Sequence, residues 1–406
     1  MDMKKTKKTF NCLISGDKIT KILDFGMHPY ADTFIGEDLL DLSEPVYPLE
    51  VYLNKDSGGI QLGYISNDFE RYNLYSYSYT SSNSDFAKNH WSSYYENLVS
   101  RFNLEQKNII EIGSNDGYLI SKFKDNNNVL AVDSSLEMCN ITKTNNINTF
   151  HKVFNSDVND ILENFGESDL IIANNVFNHS NNPLDFANGV VKLLKNDGVF
   201  VFELPYWLDT FNSGKFDQIY HEHISYFTVK STFNLLKKIN LEIIDFDLVD
   251  YHGGSIRVFS KKSKNVKMID KVKKQINLEE DKGLFDVSTY DKWYKSIKTR
   301  RNTLLLELLK IKKDNPDAII IGVGAAAKAN TFLNYYRIDK TIVDYITDAS
   351  KHKIGKFTPL TRIPIKSDEI FKNYDDVYAL ILSWNISNDL KNTLLKINPN
   401  IKFIEL

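Results

Sequence analysis

Cysteine is almost missing from this chain, with only Cys12 and Cys139 present. Two thiols so far apart in sequence argue against a disulfide framework. No stretch approaches the roughly 20 apolar residues of a membrane-spanning helix. The first residues also lack a signal peptide's apolar core, so the sequence reads as soluble and cytoplasmic. An excess of one charge sign is missing too: Lys and Arg total 50 against 53 Asp and Glu, a net charge of −3. That balance offers no basic field for nucleic acid. Lys4, Lys5, Lys7 and Lys8 form a local basic run, read as a solvated tail. Internal repeats and low-complexity tracts are absent as well.

The 406 residues, 42% of them hydrophobic, supply ample core for two or three domains. Residues 1–84 hold short β-like runs such as Ile19–Phe25 and Tyr47–Leu53, punctuated by Gly and Pro. From 85 to 263, apolar strands at Ile109–Ile112, Val129–Val132, Asp169–Ala173 and Gly198–Glu203 alternate with amphipathic segments such as Asn181–Lys195. That alternation predicts an α/β fold with a central, doubly wound, Rossmann-like parallel sheet. In 264–406 a charged helical linker, about Val266 to Lys313, carries Trp293, Ile297, Leu304, Leu305 and Leu308 at helical spacing. A second strand–turn–helix opens at Ala318-Ile-Ile-Ile-Gly-Val-Gly324, with further strands at Thr341–Thr347 and Val377–Leu382. This predicts a second, smaller Rossmann-like domain behind a small β-rich N-terminal one.

The strand 108–112 runs into Gly113-Ser-Asn-Asp-Gly117 and then a helix. Glycines let the backbone turn tightly and approach a ligand closely. Such a turn is shared by nucleotide binders generally, but Asp133, ending the next strand, is placed to accept from both hydroxyls of a ribose. Asp116 or Glu111 would meet an amino-acid end. A dinucleotide site calls for G-x-G-x-x-G. Here Gly113 and Gly117 lie four apart, which fits an S-adenosylmethionine site better. The turn Ala173-Asn-Asn-Val-Phe-Asn-His179 ends a strand at the sheet edge where ligands bind in open α/β sheets, with Asn174 and Asn175 at the cofactor side.

The densest chemistry is Tyr220-His-Glu-His-Ile-Ser-Tyr226. Imidazoles suit proton transfer near neutral pH, a carboxylate can orient them, and a phenol can donate to a developing oxyanion. A zinc site is disfavoured, because H-E-H lacks the i, i+4 spacing of a helical metal pair. His179 and the tyrosines of Tyr75-Ser-Tyr-Ser-Tyr79 are candidates to complete the cluster.

Taken together, Glu111-Ile-Gly-Ser-Asn-Asp-Gly117, Asn174-Asn-Val-Phe-Asn-His179, Tyr220-His-Glu-His223 with Ser225-Tyr-Phe227, His252-Gly-Gly-Ser-Ile-Arg257 and Gly322-Val-Gly-Ala-Ala-Ala-Lys-Ala-Asn330 resemble the sugar C-methyltransferases of tetronitrose and mycarose type. The resemblance covers nearly the whole chain. It implies methylation at C3 of a nucleotide-linked 4-keto-deoxysugar through an enolate, with S-adenosylmethionine as donor. By the same resemblance His223 is the general base, Tyr220 and Glu222 contact the sugar, His179 lies near the ketone oxygen and Tyr79 closes the pocket. The third segment would help hold the nucleotide-sugar, with Lys328 and the Gly322–Gly324 turn meeting a phosphate, and Arg257 and Tyr226 as further substrate contacts.

One departure from the family is plain. Its N-terminal domain carries zinc on four cysteines in two C-x-x-C pairs, and the matching positions here are Cys12, Ser15, Asn54 and Ser57. One thiol among neutral oxygens cannot close a tetrahedral site, so the expectation is no metal and a lid held by packing alone. Three alternatives stay open. They are O- or N-methylation of a related sugar, a non-catalytic sugar-nucleotide binder, and a dehydrogenase using Gly322–Gly324 with Asp344 or Asp348 on a ribose. The sequence does not give the oligomeric state.

Overall fold

The structure, a computed structural model, describes residues 7–8, 11–67, 80–82 and 84–404. These fall into two compact units that interleave along the chain. The first draws on residues within 1–20, 52–212 and 224–286, the second on residues within 21–51, 213–223 and 287–406. The segments 1–84, 85–263 and 264–406 divide the chain by order rather than by compactness, and stand as a proposal about how function is parcelled along it.

The first unit is built on a sheet of β1 (Asn108–Ile112), β2 (Asn128–Asp133), β3 (Asn148–His151), β4 (Ser168–Ile172), β5 (Leu194–Pro205), β6 (Leu241–Val249) and β7 (Ser255–Lys262). Their spatial order is β6-β7-β5-β4-β1-β2-β3. The five strands from β5 to β3 run parallel, and β7 is antiparallel to both β5 and β6. Strands covered on both faces need apolar residues at consecutive positions. Accordingly Ile109, Ile110, Leu130, Ala131, Leu170, Ile171, Phe200 and Val201 are fully buried. The antiparallel edge needs no crossover helix, because a short turn joins β6 to β7. His252, Gly253 and Gly254 there all have positive φ.

Near the N-terminus, the four positions matched to family cysteines do meet. Cys12 Sγ lies 3.3 Å from Ser57 Oγ, Ser57 donates to Asn54 Oδ1 at 2.8 Å, and Ser15 N–H points to Cys12 Sγ. Packing alone therefore does not describe this segment. Neutral hydrogen bonds join the positions, and the packing is tight enough that a Cβ on Gly59 would come within 2.8 Å of Cys12 Sγ. One thiol, two hydroxyls and an amide do not fit a zinc ion.

The linker helix Asp270–Asp281 contributes the fully buried Glu279. Its carboxylate accepts from Tyr206 Oη at 2.7 Å, Val229 N–H at 2.5 Å and Lys230 N–H at 3.1 Å. It thereby satisfies orphan donors at the start of helix Val229–Lys238.

The second unit carries five parallel strands, β8 (Ile319–Val323), β9 (Tyr345–Thr347), β10 (Ile365–Lys366), β11 (Val377–Ile381) and β12 (Lys402–Ile404). Their order is β10-β9-β8-β11-β12. Two segments distant in sequence pack within this unit. Phe25 and Phe216 stack at 5.5 Å, and Tyr335 of helix Ala327–Tyr336 meets both edge-on. His221 meets the paired rings of Tyr30 and Tyr47 edge-on, with Nε2 3.3 Å from the Pro48 carbonyl. The loop 213–223 is thus held by aromatic contacts from both sides. No helix among the described residues is long and apolar enough to cross a membrane.

Candidate active site

In open α/β sheets ligands bind beyond the carboxyl ends of the strands, where the strand order reverses. In the first unit that point lies between β1 and β4, and a cavity of about 260 Å³ opens there. Glu111, Gly113, Ser114, Asn115, Asp133, Asn174, Asn175 and His179 line it. The turn is possible because Gly113, Asn115 and Gly117 all adopt positive φ, a region that Gly and Asn tolerate best.

Asp133 closes β2. Its Oδ2 accepts Asn115 N–H at 2.8 Å and its Oδ1 accepts Ser135 N–H at 2.8 Å. Each oxygen keeps a further lone pair, which suits a vicinal diol. Burial raises its pKa, and the two backbone donors oppose that rise. Glu111 is buried beneath the turn and accepts Ile120 N–H at 2.9 Å. Burial, with Asp116 and Asp133 nearby, holds its pKa well above the usual carboxylate range. Glu111 at the turn is therefore suited to hold a proton. Ser114 Oγ is buried without a hydrogen-bond partner. At another part of the lining Phe154 and Phe186 meet edge-to-face at 4.8 Å, an apolar wall for a heteroaromatic ring. An acidic ribose clamp, an unmatched hydroxyl and an aromatic wall together fit S-adenosylmethionine.

Asp116, expected near the amino-acid end of the cofactor, also makes bonds within the chain. Ser81 Oγ donates to its Oδ1 at 2.5 Å, while Ser82 N–H and Oγ donate to its Oδ2 at 3.0 and 2.6 Å. Ser81 N–H also donates to Asn115 Oδ1. Asp116 thus fastens residues 81–82 onto the glycine turn, and Ser81 joins the cavity lining. Arg257 is likewise engaged, in a buried pair with Glu203. Tyr226 is buried against Trp207 at 4.9 Å. Tyr79 lies outside the described residues.

In the second unit the loop carrying Tyr220, Glu222 and His223 is tightly specified. His223 Nδ1 lies 2.8 Å from the Gln218 carbonyl, and Nε2 lies 2.7 Å from Tyr220 Oη. A carbonyl can only accept, so Nδ1 carries the proton and the Nε2 lone pair accepts from the Tyr220 hydroxyl. Burial pushes the imidazole pKa down to about 3, the Gln218 carbonyl opposing and the Lys328 charge adding to the fall. Glu222 is buried in the same loop.

Sequence reasoning missed a cluster in the same unit. Lys328 Nζ lies 4.5 Å over the Trp384 ring and Lys215 Nζ 4.6 Å from it. Trp384 Nε1 donates to the buried Asp217 at 2.6 Å, and Lys328 donates to Asn385 Oδ1 at 3.1 Å. Burial lowers the Lys328 pKa to about 8, with Asp217 opposing. Lys215 and Asp217 stand just before Tyr220, so their nearness to the motif was the available signal. Gly324 has φ +98, and a Cβ there would fall 1.9 Å from Ser383 Oγ, so glycine is required by close packing.

The ribose carboxylates considered for this second turn are both occupied. Asp344 accepts from Ile320 N–H and Lys312 Nζ. Asp348 accepts Ala325 N–H at 2.9 Å and Ser350 N–H at 2.8 Å. Lys353 Nζ stands 3.7 Å from Asp348 and donates to the Ala325 carbonyl.

The strand order, with the Asp133 carboxylate beside the glycine turn and the cavity, fits an S-adenosylmethionine-dependent methyltransferase. Residues 86–245 match the family described as a methyltransferase domain, and residues 250–404 match the C-methyltransferase C-terminal domain. Over both matched regions the chain is similar to C-methyltransferases. Among curated proteins it is similar to C-methyltransferase NovU of Streptomyces niveus, 26% identical over 385 residues, covering 93% of this chain and 90% of that protein. Among solved structures, magnesium protoporphyrin IX methyltransferase from Synechocystis with bound SAH is 14% identical at a TM-score of 0.36, covering 43% of this chain and 83% of its own. An S-adenosylmethionine-dependent methyltransferase from Clostridium acetobutylicum is 16% identical at a TM-score of 0.36, covering 45% and 94%. At such scores the fold assignment rests on the strand order itself.

Proposed function

We propose that this C-methyltransferase acts at C3 of a nucleotide-linked 4-keto-deoxysugar, with His223 as the general base. The observation that carries the reading is the fixed tautomer of His223. The Gln218 carbonyl holds its Nδ1 proton, so Nε2 is the basic atom. A proton on the carbon beside a ketone is acidic because the electron pair left behind delocalises onto the ketone oxygen. His223 Nε2 takes that proton as the C3–H bond breaks, and the pair moves into a C3–C4 double bond with charge on the C4 oxygen. Bound S-adenosylmethionine supplies a methyl on a sulfonium, which the C3 carbon captures as S-adenosylhomocysteine departs.

The depressed pKa of His223 fits this role only with substrate present. An imidazolium in a dry site is costly, and the enolate formed in the same step supplies the compensating negative charge. The Tyr220 hydroxyl donates to Nε2 in the free enzyme, so it must turn away before that single lone pair can take the C3 proton. It is then free to donate to the enolate oxygen. His179 and Glu222 complete the proposed sugar contacts. The two ammonium groups beside Trp384 support an anionic acceptor such as a nucleoside diphosphate-sugar.

His223→Ala is expected to lower turnover by about 10²–10⁴-fold, the usual range for a general base, with S-adenosylhomocysteine binding by calorimetry unchanged. The base also predicts exchange of the C3 proton into D2O without cofactor, read by NMR on a 4-keto nucleotide-sugar. Methylation of a substrate oxygen or nitrogen with no C3 exchange would replace this reading with O- or N-methylation.

A further inference from the structure

We propose that His90, Glu203 and Arg257 form a positioning triad that sets the Asn174–Asn175 edge of the cofactor cavity. The proposal rests on that cavity being the S-adenosylmethionine site.

Glu203 stands near the carboxyl end of β5 with no solvent exposure. A lone carboxylate there would be strongly destabilising. Arg257, from β7, reaches its Oε2 with Nε at 2.9 Å and Nη2 at 2.7 Å. His90, from helix Asp85–Arg101, places Nε2 2.6 Å from its Oε1. Burial alone would raise the carboxyl pKa, but His90 and Arg257 together hold it below the ordinary value. The partners are themselves fixed. The His90 ring lies flat on Tyr251 at 3.7 Å between centroids, and the Arg257 guanidinium sits 4.1 Å over Tyr94.

The backbone of Glu203 carries this rigidity to the cavity. Its N–H donates to Asn174 Oδ1 at 2.9 Å, and its carbonyl accepts Asn175 N–H at 2.7 Å. Asn175 stands at φ +52, in the left-handed region that Gly and Asn tolerate best. Asn174 and Asn175 both line the cavity, as does Trp91 beside His90. The reaction proposed above uses none of these three side chains. A buried ionic cluster is weak evidence of stability for its own sake, because well-packed apolar side chains often serve as well. Its use here is to fix the end of β5, and through two hydrogen bonds the turn that faces the cofactor.

The test is calorimetric titration of the full-length protein with S-adenosylhomocysteine. His90→Gln keeps an N–H near the Nε2 position, whereas His90→Leu keeps bulk without a donor. The triad predicts an affinity loss of about 10-fold for His90→Leu and less than about 3-fold for His90→Gln, from the worth of a hydrogen bond to a charged group. Hydrogen exchange should accelerate at the Asn175 amide in His90→Leu and be restored in His90→Gln. Should His90→Leu fail to fold, Arg257→Lys keeps the charge, loses the two-pronged contact, and is expected to weaken binding about 5-fold. A folded His90→Leu that binds and exchanges like wild type would overturn the triad. So would equal losses in His90→Leu and His90→Gln. Failure of the unmodified protein to bind S-adenosylhomocysteine at all would instead overturn the reading of the cavity.

Discussion

Asp133 and Asp348 occupy the same place in two different sheets. Asp133 closes, and Asp348 directly follows, the strand next to a glycine turn. Each accepts one N–H from that turn, from Asn115 or Ala325, and one from two residues downstream, from Ser135 or Ser350. What differs is the remaining surface of the carboxylate. Asp133 borders a cavity, whereas Asp348 faces the Lys353 ammonium at 3.7 Å. Equivalent hydrogen bonds therefore leave one carboxylate bordering a cavity and the other beside an ammonium. The turn and the acid fix where a site can be, and the third group decides whether one exists.

The largest effect expected from this contrast is on the cofactor. Asp133→Asn should weaken S-adenosylhomocysteine binding by about 10–100-fold, the worth of hydrogen bonds to a charged acceptor, while Asp348→Asn leaves the Kd within about twofold. Equal losses at both positions would break the comparison. Next in size, the second unit should contact its ligand through Lys328 rather than Asp348. Lys328→Met is expected to raise KM for the nucleotide-sugar about 10-fold with kcat little changed. The ammonium is present below its lowered pKa of about 8 and lost above it. Wild-type KM should therefore rise as pH passes 8, and the variant's should stay flat over the same range.

Smaller effects are expected on stability. Gly59→Ala must move the buried Cys12 thiol, and denaturant titration should show a loss of about 1–3 kcal/mol, typical of overpacking. Lys353→Met should lose about 1 kcal/mol by leaving Asp348 without its cation, without creating adenosine binding. Smallest of all, chelation should leave the melting temperature unchanged. Stoichiometric zinc in untagged protein would refute the metal-free reading of Cys12, Ser15, Asn54 and Ser57.

The contrast also explains what could be read from the sequence. Apolar runs buried on both faces announce themselves, and the strand cores expected at 109–112, 129–132, 377–382 and within Ala318–Gly324 coincide with β1, β2, β11 and β8. The glycine turn and Asp133 were legible because their spacing is local. Hidden features depend on partners far away in the chain. The bonds from Ser81 and Ser82 to Asp116 are of this kind. So is the pairing of Arg257 with Glu203, 54 positions earlier. The antiparallel β6–β7 edge escaped notice because Leu241–Val249 is buried only at intervals along its length. The His223 tautomer hangs on a main-chain carbonyl, which no side-chain pattern encodes.

Glu279 has a practical consequence for anyone dividing the molecule. A fragment stopped at residue 263 would leave the Val229 and Lys230 amides and the Tyr206 hydroxyl without the Glu279 acceptor. During synthesis the same dependence delays completion: the sheet strands are all made by Lys262, yet the cap on helix Val229–Lys238 arrives only when Glu279 emerges. The first unit must wait for its own linker before it can finish folding.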